Sequence, residues 1–389
     1  MLAEGRDAVG RTATSSWEGR WREGDAWTVP SDPIVSIGDR GGPEETQFVT
    51  IAAAARRSDG TIVVVDRGAR VVRLYDSGGR FVETFGSGGA GPGEFLDPSA
   101  ISLGPGDTVT VWDSQLFRAT RFDSSGGLAD MNTLDLAEVA KAVEPPLYPG
   151  GVEVLGDGDF LVRLIEKSGK VPPSGMVRSR SGVLRVSRDL SSIDTLLFFP
   201  DTAKVVVNAP FGRYPIAPPL ALGPVVTHRG NPARICIGDR SGPEVLCLDP
   251  DGNRVRVRWE SASSPVTDEE VREWREANLR LFGEKLSEED ILRMLDQVPV
   301  PSVRPDFSDL SVDRAWNLWV RLGPTRGSEG RSVDYLVFDP EGILLGKVVL
   351  PLIRVLEIGA DFVVGVYRDE LEVESLRLYE LRKPSSASE

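Results

Sequence analysis

DGTIVVVD at residues 59–66 returns 47 residues later as GDTVTVWD at 106–113, and this recurrence decides the fold. Each copy is followed by a second alternating run ending in an aromatic residue and an aspartate, RLYD at 73–76 and TRFD at 120–123. Apolar and polar residues in alternation mark half-buried strands. Self-similarity at roughly 45 residues, with about four such runs and no helix between them, points to stacked small sheets. After each aspartate comes a turn, Asp76-Ser-Gly-Gly and Asp123-Ser-Ser-Gly, and the device returns as Asp249-Pro-Asp-Gly and Asp339-Pro-Glu-Gly. Aspartate bonds its own turn amides and glycine accepts a positive φ, so D-x-x-G closes a short hairpin between the third and fourth strands of each unit.

Working outward, the first unit covers about 49–87 and the second about 97–135, joined by FGSGGAGPGEFLDP. A third starts at 150–164 and resumes at 183–199, with the polar insertion EKSGKVPPSGMVRSRSG between. The fourth runs from Phe211 to Trp259, and the fifth is carried by 309–322 and 333–350. The last unit, RVLEIGADFVVGVYRDELEVESLRLYELRK, holds three clear strands, while AWTVPSDPIVSIG at 26–38 is strand-like and has no unit of its own. The expected fold class is therefore all-β: a six-bladed β-propeller over 26–383, its N-terminal strand completing the last blade and hiding the edges of an open ring. Residues 1–25 read as a poorly ordered extension and 384–389 as a tail.

One segment breaks the β pattern. Thr267-Asp-Glu-Glu270 is a capping box opening VREWREANLRLFGE, and Ser287-Glu-Glu-Asp290 opens ILRMLDQV. A helical insertion over about 265–298, between blades four and five, follows. Val271, Trp274, Asn278 and Leu281 share one side of the first helix, which is expected to cover the propeller.

The 389 residues are 40% hydrophobic and 27% charged, with 41 Gly and 28 Pro, the composition of a folded, turn-rich chain. A net charge of −14, spread along the sequence, argues against nucleic acid as a partner. No run approaches the roughly 18 to 20 apolar residues of a membrane span. The start, MLAEGRDAVGRTATSS, lacks the apolar stretch of a secretory signal. The two cysteines, Cys236 in RICIGD and Cys247 in EVLCLD, face each other if Asp239 faces Glu244. Two packed thiols are the favoured reading, and a cross-strand disulfide in an oxidising compartment is the alternative.

VSIGDRGGPEETQF followed by DGTIVVVDRGARVVRLYDSGGRFVETFGSGGAGPGEFLDP resembles the NHL-repeat-like six-bladed propellers of bacteria. NLWVRL, YLVFDPEG and VVGVYRDELEVESLRLYEL are similar to uncharacterised bacterial propellers of that kind. The resemblance covers nearly the whole chain and implies fold more than function. It also implies export to the periplasm or cell surface if the start is truncated; otherwise localisation is undetermined by the sequence.

Chemistry is constrained by the single histidine, His228 in VVTHRGNP. It reads as a loop or strand-end residue, and a metal site built on several imidazoles is impossible within one chain. GSGGAGPGEF lacks the Lys-Ser/Thr end of a phosphate loop and reads as a connector. Asp66 and Asp113 recur at equivalent places and read as structural carboxylates. Calcium needs only oxygen ligands, so Asp306, Asp309, Asp313 and Asn317 are its candidates, under an alternative reading as a calcium-dependent lactonase-type hydrolase. Arg163, Arg213, Tyr214, Arg314, Trp316, Trp319 and Arg321 are the candidate ligand-binding residues at the channel mouth, where loops converge. An arginine-rich mouth on an acidic protein suits an anionic ligand. The leading expectation is a monomeric, non-enzymatic binding or protein-interaction propeller without a cofactor, whose partner is an unidentified protein or a small anion.

Overall fold

The computed structural model describes residues 11–15, 18–22, 24–143, 147–166, 174–261, 264–323 and 332–384. The first ten residues of the expected extension, positions 167–173 of the polar insertion and the tail beyond Pro384 lie outside the described residues. Six sheets repeat one antiparallel order. The first is Ile51–Arg56, Ile62–Asp66, Val71–Tyr75 and Phe81–Phe85. The second is Pro98–Leu103, Val109–Asp113, Arg118–Phe122 and Leu128–Thr133. Leu147–Val154, Phe160–Glu166, Arg180–Val186 and Ile193–Pro200 form the third. Val225–Arg229, Arg234–Gly238, Glu244–Leu248 and Arg254–Trp259 form the fourth. The fifth is Asp309–Val312, Leu318–Arg321, Ser332–Phe338 and Leu344–Pro351. Arg354–Ile358, Phe362–Arg368 and Glu374–Glu380 make three strands of the sixth, and its fourth strand is Val35–Ile37 from the other end of the chain.

Each sheet is too small to hide its own faces, and its neighbours do so. Val63, Val65 and Phe85 pack on Val109, Val111 and Phe122, joining the first sheet to the second. Trp112 meets Phe160 between the second and third, and Leu161 meets Ile235 in the core of the third and fourth. Trp259 and Val257 share a core with Leu318 and Phe338, and Trp319 shares one with Val363 and Tyr379. The last such cluster unites Ile37, Val364 and Leu376 with Ile51 and Val64, so the sixth sheet returns to the first and the sheets close a ring. The second strands are buried on both faces, Ile62–Asp66 and Arg234–Gly238 throughout, whereas the outer strand Leu128–Thr133 is half exposed.

The turns explain themselves chemically. Gly79, Gly126, Gly252 and Gly342 take φ of 83°, 80°, 79° and 84°, each in the last position of a D-x-x-G turn. Asp76 accepts from the amides of Gly78 and Arg80, and Asp123 from the amides of Ser125 and Gly127 and the Ser125 hydroxyl. These donors, the Arg80 amide for Asp76 and the Ser125 hydroxyl for Asp123 foremost, hold both carboxyls below the usual range. Asp66 and Asp113 are fully buried structural carboxylates. Asp66 takes the amides of Val49, Thr50 and Ala69 and the Arg73 guanidinium, and Asp113 those of Leu96, Asp97, Gln115 and Leu116.

The N-terminal segment straps the ring from outside. Arg11–Ser15, within the expected extension, pairs in parallel with Arg254–Trp259 on the edge of the fourth sheet. The Arg20 and Trp21 amides donate to Leu344 and Leu345 of the fifth, at 3.0 and 2.8 Å. Thr28 bridges Arg382, and Val35–Ile37 then pairs antiparallel with Leu376–Leu378.

Three local readings are corrected. Gly212–Ile216 does not begin the fourth sheet: it pairs with Lys204–Ala209, which also pairs with Gly175–Val177, in a separate three-stranded sheet. That sheet packs on the helices α1 (Asp268–Phe282) and α2 (Glu288–Leu295), through Val205, Val207 and Ile216 against Ile291, Met294 and Leu295. A further short helix spans Leu136–Lys141 between the second and third sheets. On α1 the packed side is Trp274, Leu279 and Phe282, while Leu281 is 69% exposed. The third strand of the third sheet begins at Arg180, inside the polar insertion, because Ser181 and Gly182 continue its ladder to Ile165 and Leu164.

Cys236 and Cys247 stand directly opposite with Cα atoms 4.0 Å apart and are joined as a disulfide, so the favoured thiol reading is also corrected. Both are fully buried in the core between the fourth and fifth sheets. Closing a loop of this size restricts the unfolded chain and is worth about 3 kcal/mol. Reduction is expected to lower the urea midpoint of the wild type accordingly and to leave a Cys236→Ala/Cys247→Ala variant unmoved by reductant.

Candidate functional site

The first strands of all six sheets face one axis and line a cavity of about 220 Å³. Room is left by small side chains, Ala53, Ala54 and Ala55 from the first sheet and Ser99 and Ala100 from the second. Into this channel come Glu153 of the third sheet, His228 and Arg229 of the fourth, and Glu357 of the sixth. Irregularities aim two of these strands. Gly150 is unpaired between Pro149 and Gly151 upstream of Glu153, and Leu356 is the extra residue between Val355 and Glu357. Such a bulge re-aims the side chains beside it.

The polar groups meet in pairs and clusters. His228 Nε2 lies 2.7 Å from Glu153 Oε2. The Glu357 carboxylate is 1% exposed and receives Arg229 Nη2 at 3.1 Å and Arg314 Nη2 at 2.9 Å. Arg314 Nε and the Arg56 amide add bonds of 3.0 and 2.9 Å. The Arg56 and Arg314 guanidiniums sit 4.9 and 5.3 Å from the centre of the Phe362 ring, which holds them in place.

Of the residues expected at the channel mouth, Arg314 joins this constellation. Arg163 is half-buried on the second strand of the third sheet and donates to the Gly150 carbonyl at 3.4 Å. Arg213 and Tyr214 lie in the three-stranded sheet, where the Tyr214 ring stands edge-on to Phe211 and Phe282. Trp316, with φ of 65°, packs beside the core of the fourth and fifth sheets, and its carbonyl accepts from Arg234. Trp319 is fully buried between Trp27 and Tyr335. Arg321 is buried on the fifth sheet opposite Asp309, its Nε without a partner.

The four calcium candidates are not gathered around one point. Asp313 is filled by the amides of Ala315 and Asn317, the Asn317 Nδ2 and the Trp319 indole at 2.8 to 3.1 Å. Asp306 accepts from the Ser261 hydroxyl. Burial pushes the Asp309 carboxyl up, opposed by its own bond from Leu310 N and by Arg321 and Arg240 nearby. Among the described residues no three His, Cys, Asp or Glu side chains are placed to hold a metal ion.

A second cavity, of about 270 Å³, opens between the fourth sheet, the fifth sheet and the segment that follows α2. Arg240, Arg304, Leu220, Pro305, Phe307 and Ser308 are among its walls, and it shares no lining residue with the channel. Sequence reasoning missed Glu153, His228 and Glu357 as a group and missed Arg240. The available signal was an acid between aliphatic residues of a first strand, VEV at 152–154 and LEI at 356–358.

No family model matches the sequence, and comparison with curated proteins finds no match. Solved structures do match. A member of the DUF4221 family from Bacteroides vulgatus superposes over 92% of this chain and 99% of its own, with a TM-score of 0.51 at 8% identity. A candidate exported protein of Bacteroides fragilis covers 96% and 100%, with a TM-score of 0.48 at 11% identity. Virginiamycin B lyase from Staphylococcus aureus covers 92% and 100%, at 0.42 and 10%. At such identities the likeness concerns fold alone, and the fold is propeller-like.

Proposed function

We propose that the chain is a six-bladed β-propeller that works as a non-enzymatic binding or interaction protein, receiving its partner at the central channel and the loops around it. The observation that carries this reading is that the buried carboxylate of the channel, Glu357, is occupied by arginines and that His228 has no hydroxyl or thiol nucleophile bonded to it among the described residues. General acid-base or nucleophilic work needs a lone pair or a labile proton at the reacting atom. Glu357 is filled by two arginines and a backbone amide, and His228 pairs with Glu153 through Nε2. Among the described residues no serine, threonine or cysteine side chain hydrogen-bonds His228. A wall of paired side chains offers shape and charge for reversible contact. The buried disulfide favours an oxidising compartment as the working location.

The test sets this reading against the calcium-dependent hydrolase. The melting temperature is expected to be the same in calcium and in EDTA, since only a ligand of the native state raises it. A panel of lactones and esters is expected to show no turnover above buffer. A calcium-dependent rise, or turnover that His228→Gln abolishes, would overturn the proposal.

A further inference from the structure

The second cavity has an unusual charge environment. Arg240 holds φ of 61°, a left-handed backbone that a side-chain-bearing residue resists. That conformation points the chain of Arg240 into the wall, where Nε donates to the Gly223 carbonyl at 3.1 Å and Nη2 to the Ala221 carbonyl at 3.0 Å. Both partners are neutral, and burial pulls the guanidinium below its ordinary range. Its sequence neighbour Asp239 accepts from the Ser241 amide and hydroxyl through Oδ1, and its Oδ2 faces Arg178 Nη2 at 3.6 Å. Arg321, 7% exposed, is a second buried guanidinium without an ion-pair partner among the described residues. The acid near both, Asp309, accepts from the Leu310 amide and forms no ion pair with either guanidinium among the described residues. Arg304, on the opposite wall, is neutralised by Glu270 at 2.9 Å. Among the described residues no Asp or Glu lines the cavity, and Leu220, Ala221, Pro305 and Phe307 give it apolar walls beside Thr202 and Ser308.

A part-buried guanidinium without an ion-pair partner has lost hydration, and an anion that reaches it makes up for that loss. The volume is that of about nine water molecules at ~30 Å³ each, enough for a small organic acid. We infer that this cavity binds a small organic carboxylate, its carboxylate on Arg240 and its apolar body against Leu220, Pro305 and Phe307. The site stands apart from the channel and does not depend on the function proposed there.

The test is titration of the purified full chain with acetate, succinate and benzoate, followed by ligand-observed NMR and calorimetry, with benzamide and inorganic phosphate as comparisons. At least one carboxylate is expected to bind, with benzamide and phosphate at least tenfold weaker. Arg240→Gln, which keeps a hydrogen-bond donor and loses the charge, is expected to weaken binding at least tenfold. Should that variant fail to fold, Thr202→Glu decides: it places a tethered carboxylate on the same wall, leaves both Arg240 bonds intact, and is expected to weaken binding equally. The inference fails if none of the three acids binds, if benzamide or phosphate binds as tightly as the best of them, or if the folded variants bind like the wild type.

Discussion

Glu357→Ala is expected to cost about 3–5 kcal/mol of stability, read as a fall in the urea midpoint with the slope unchanged. The carboxylate is buried, and its removal takes the ion-pair partner from Arg229 and Arg314 and orphans the Arg56 amide in one step. Those groups come from the fourth sheet, the turn of the fifth and the first, while Glu357 belongs to the sixth. One side chain therefore ties four sheets across the axis. Glu357→Gln keeps the shape and loses the charge, so it is expected to remain well below the wild type. Adding Arg314→Ala to Glu357→Ala should cost less than the two single losses together, because the second substitution removes a charge the first had stranded. Strict additivity would mean that the two residues do not interact.

Ile37→Asp is expected to be comparably severe. Ile37 is 2% exposed in the core shared by the sixth and first sheets, and losing its packing alone is worth about 2–5 kcal/mol. The new carboxylate would also be buried without a partner. Its neighbour Ser36 points outward on the same strand, so Ser36→Asp is expected to change stability by no more than about 0.5 kcal/mol. The contrast comes from strand alternation. An opened ring would also bare the edge of Glu374–Glu380, and association of the Ile37→Asp protein should appear in size-exclusion chromatography.

What the sequence disclosed was local. D-x-x-G turns, alternating runs and the capping box at Thr267 each specify structure over a few residues, and the deficit of one strand in the last unit pointed to 26–38. The Cys236 and Cys247 register followed from the turn between them. Less legible was anything set by contact between sheets. Glu153 and Glu357 each sit in an aliphatic run where either strand face is possible, and the bulge at Leu356 that places Glu357 leaves no sequence mark. His228 looked solitary because its partner lies on another sheet. Trp319 and Arg321 share a strand, yet neither lines the channel: Trp319 is core, and Arg321 is buried opposite Asp309. Gly212–Ile216 has the pattern of a blade strand and was drawn away by the hairpin with Lys204–Ala209 under the helices.

The ring around the channel is closed through the N-terminal strand, so that closure bears on what is proposed for the channel. Ser36 stands opposite Arg377 in the register that joins Val35–Ile37 to the last sheet. The direct measurement is non-reducing peptide mapping of a Ser36→Cys/Arg377→Cys variant after mild oxidation. The closed ring predicts an intramolecular disulfide between positions 36 and 377, in monomeric protein that retains the Cys236–Cys247 bond. Free thiols at both positions, or a bond found solely between molecules, would contradict the closed ring.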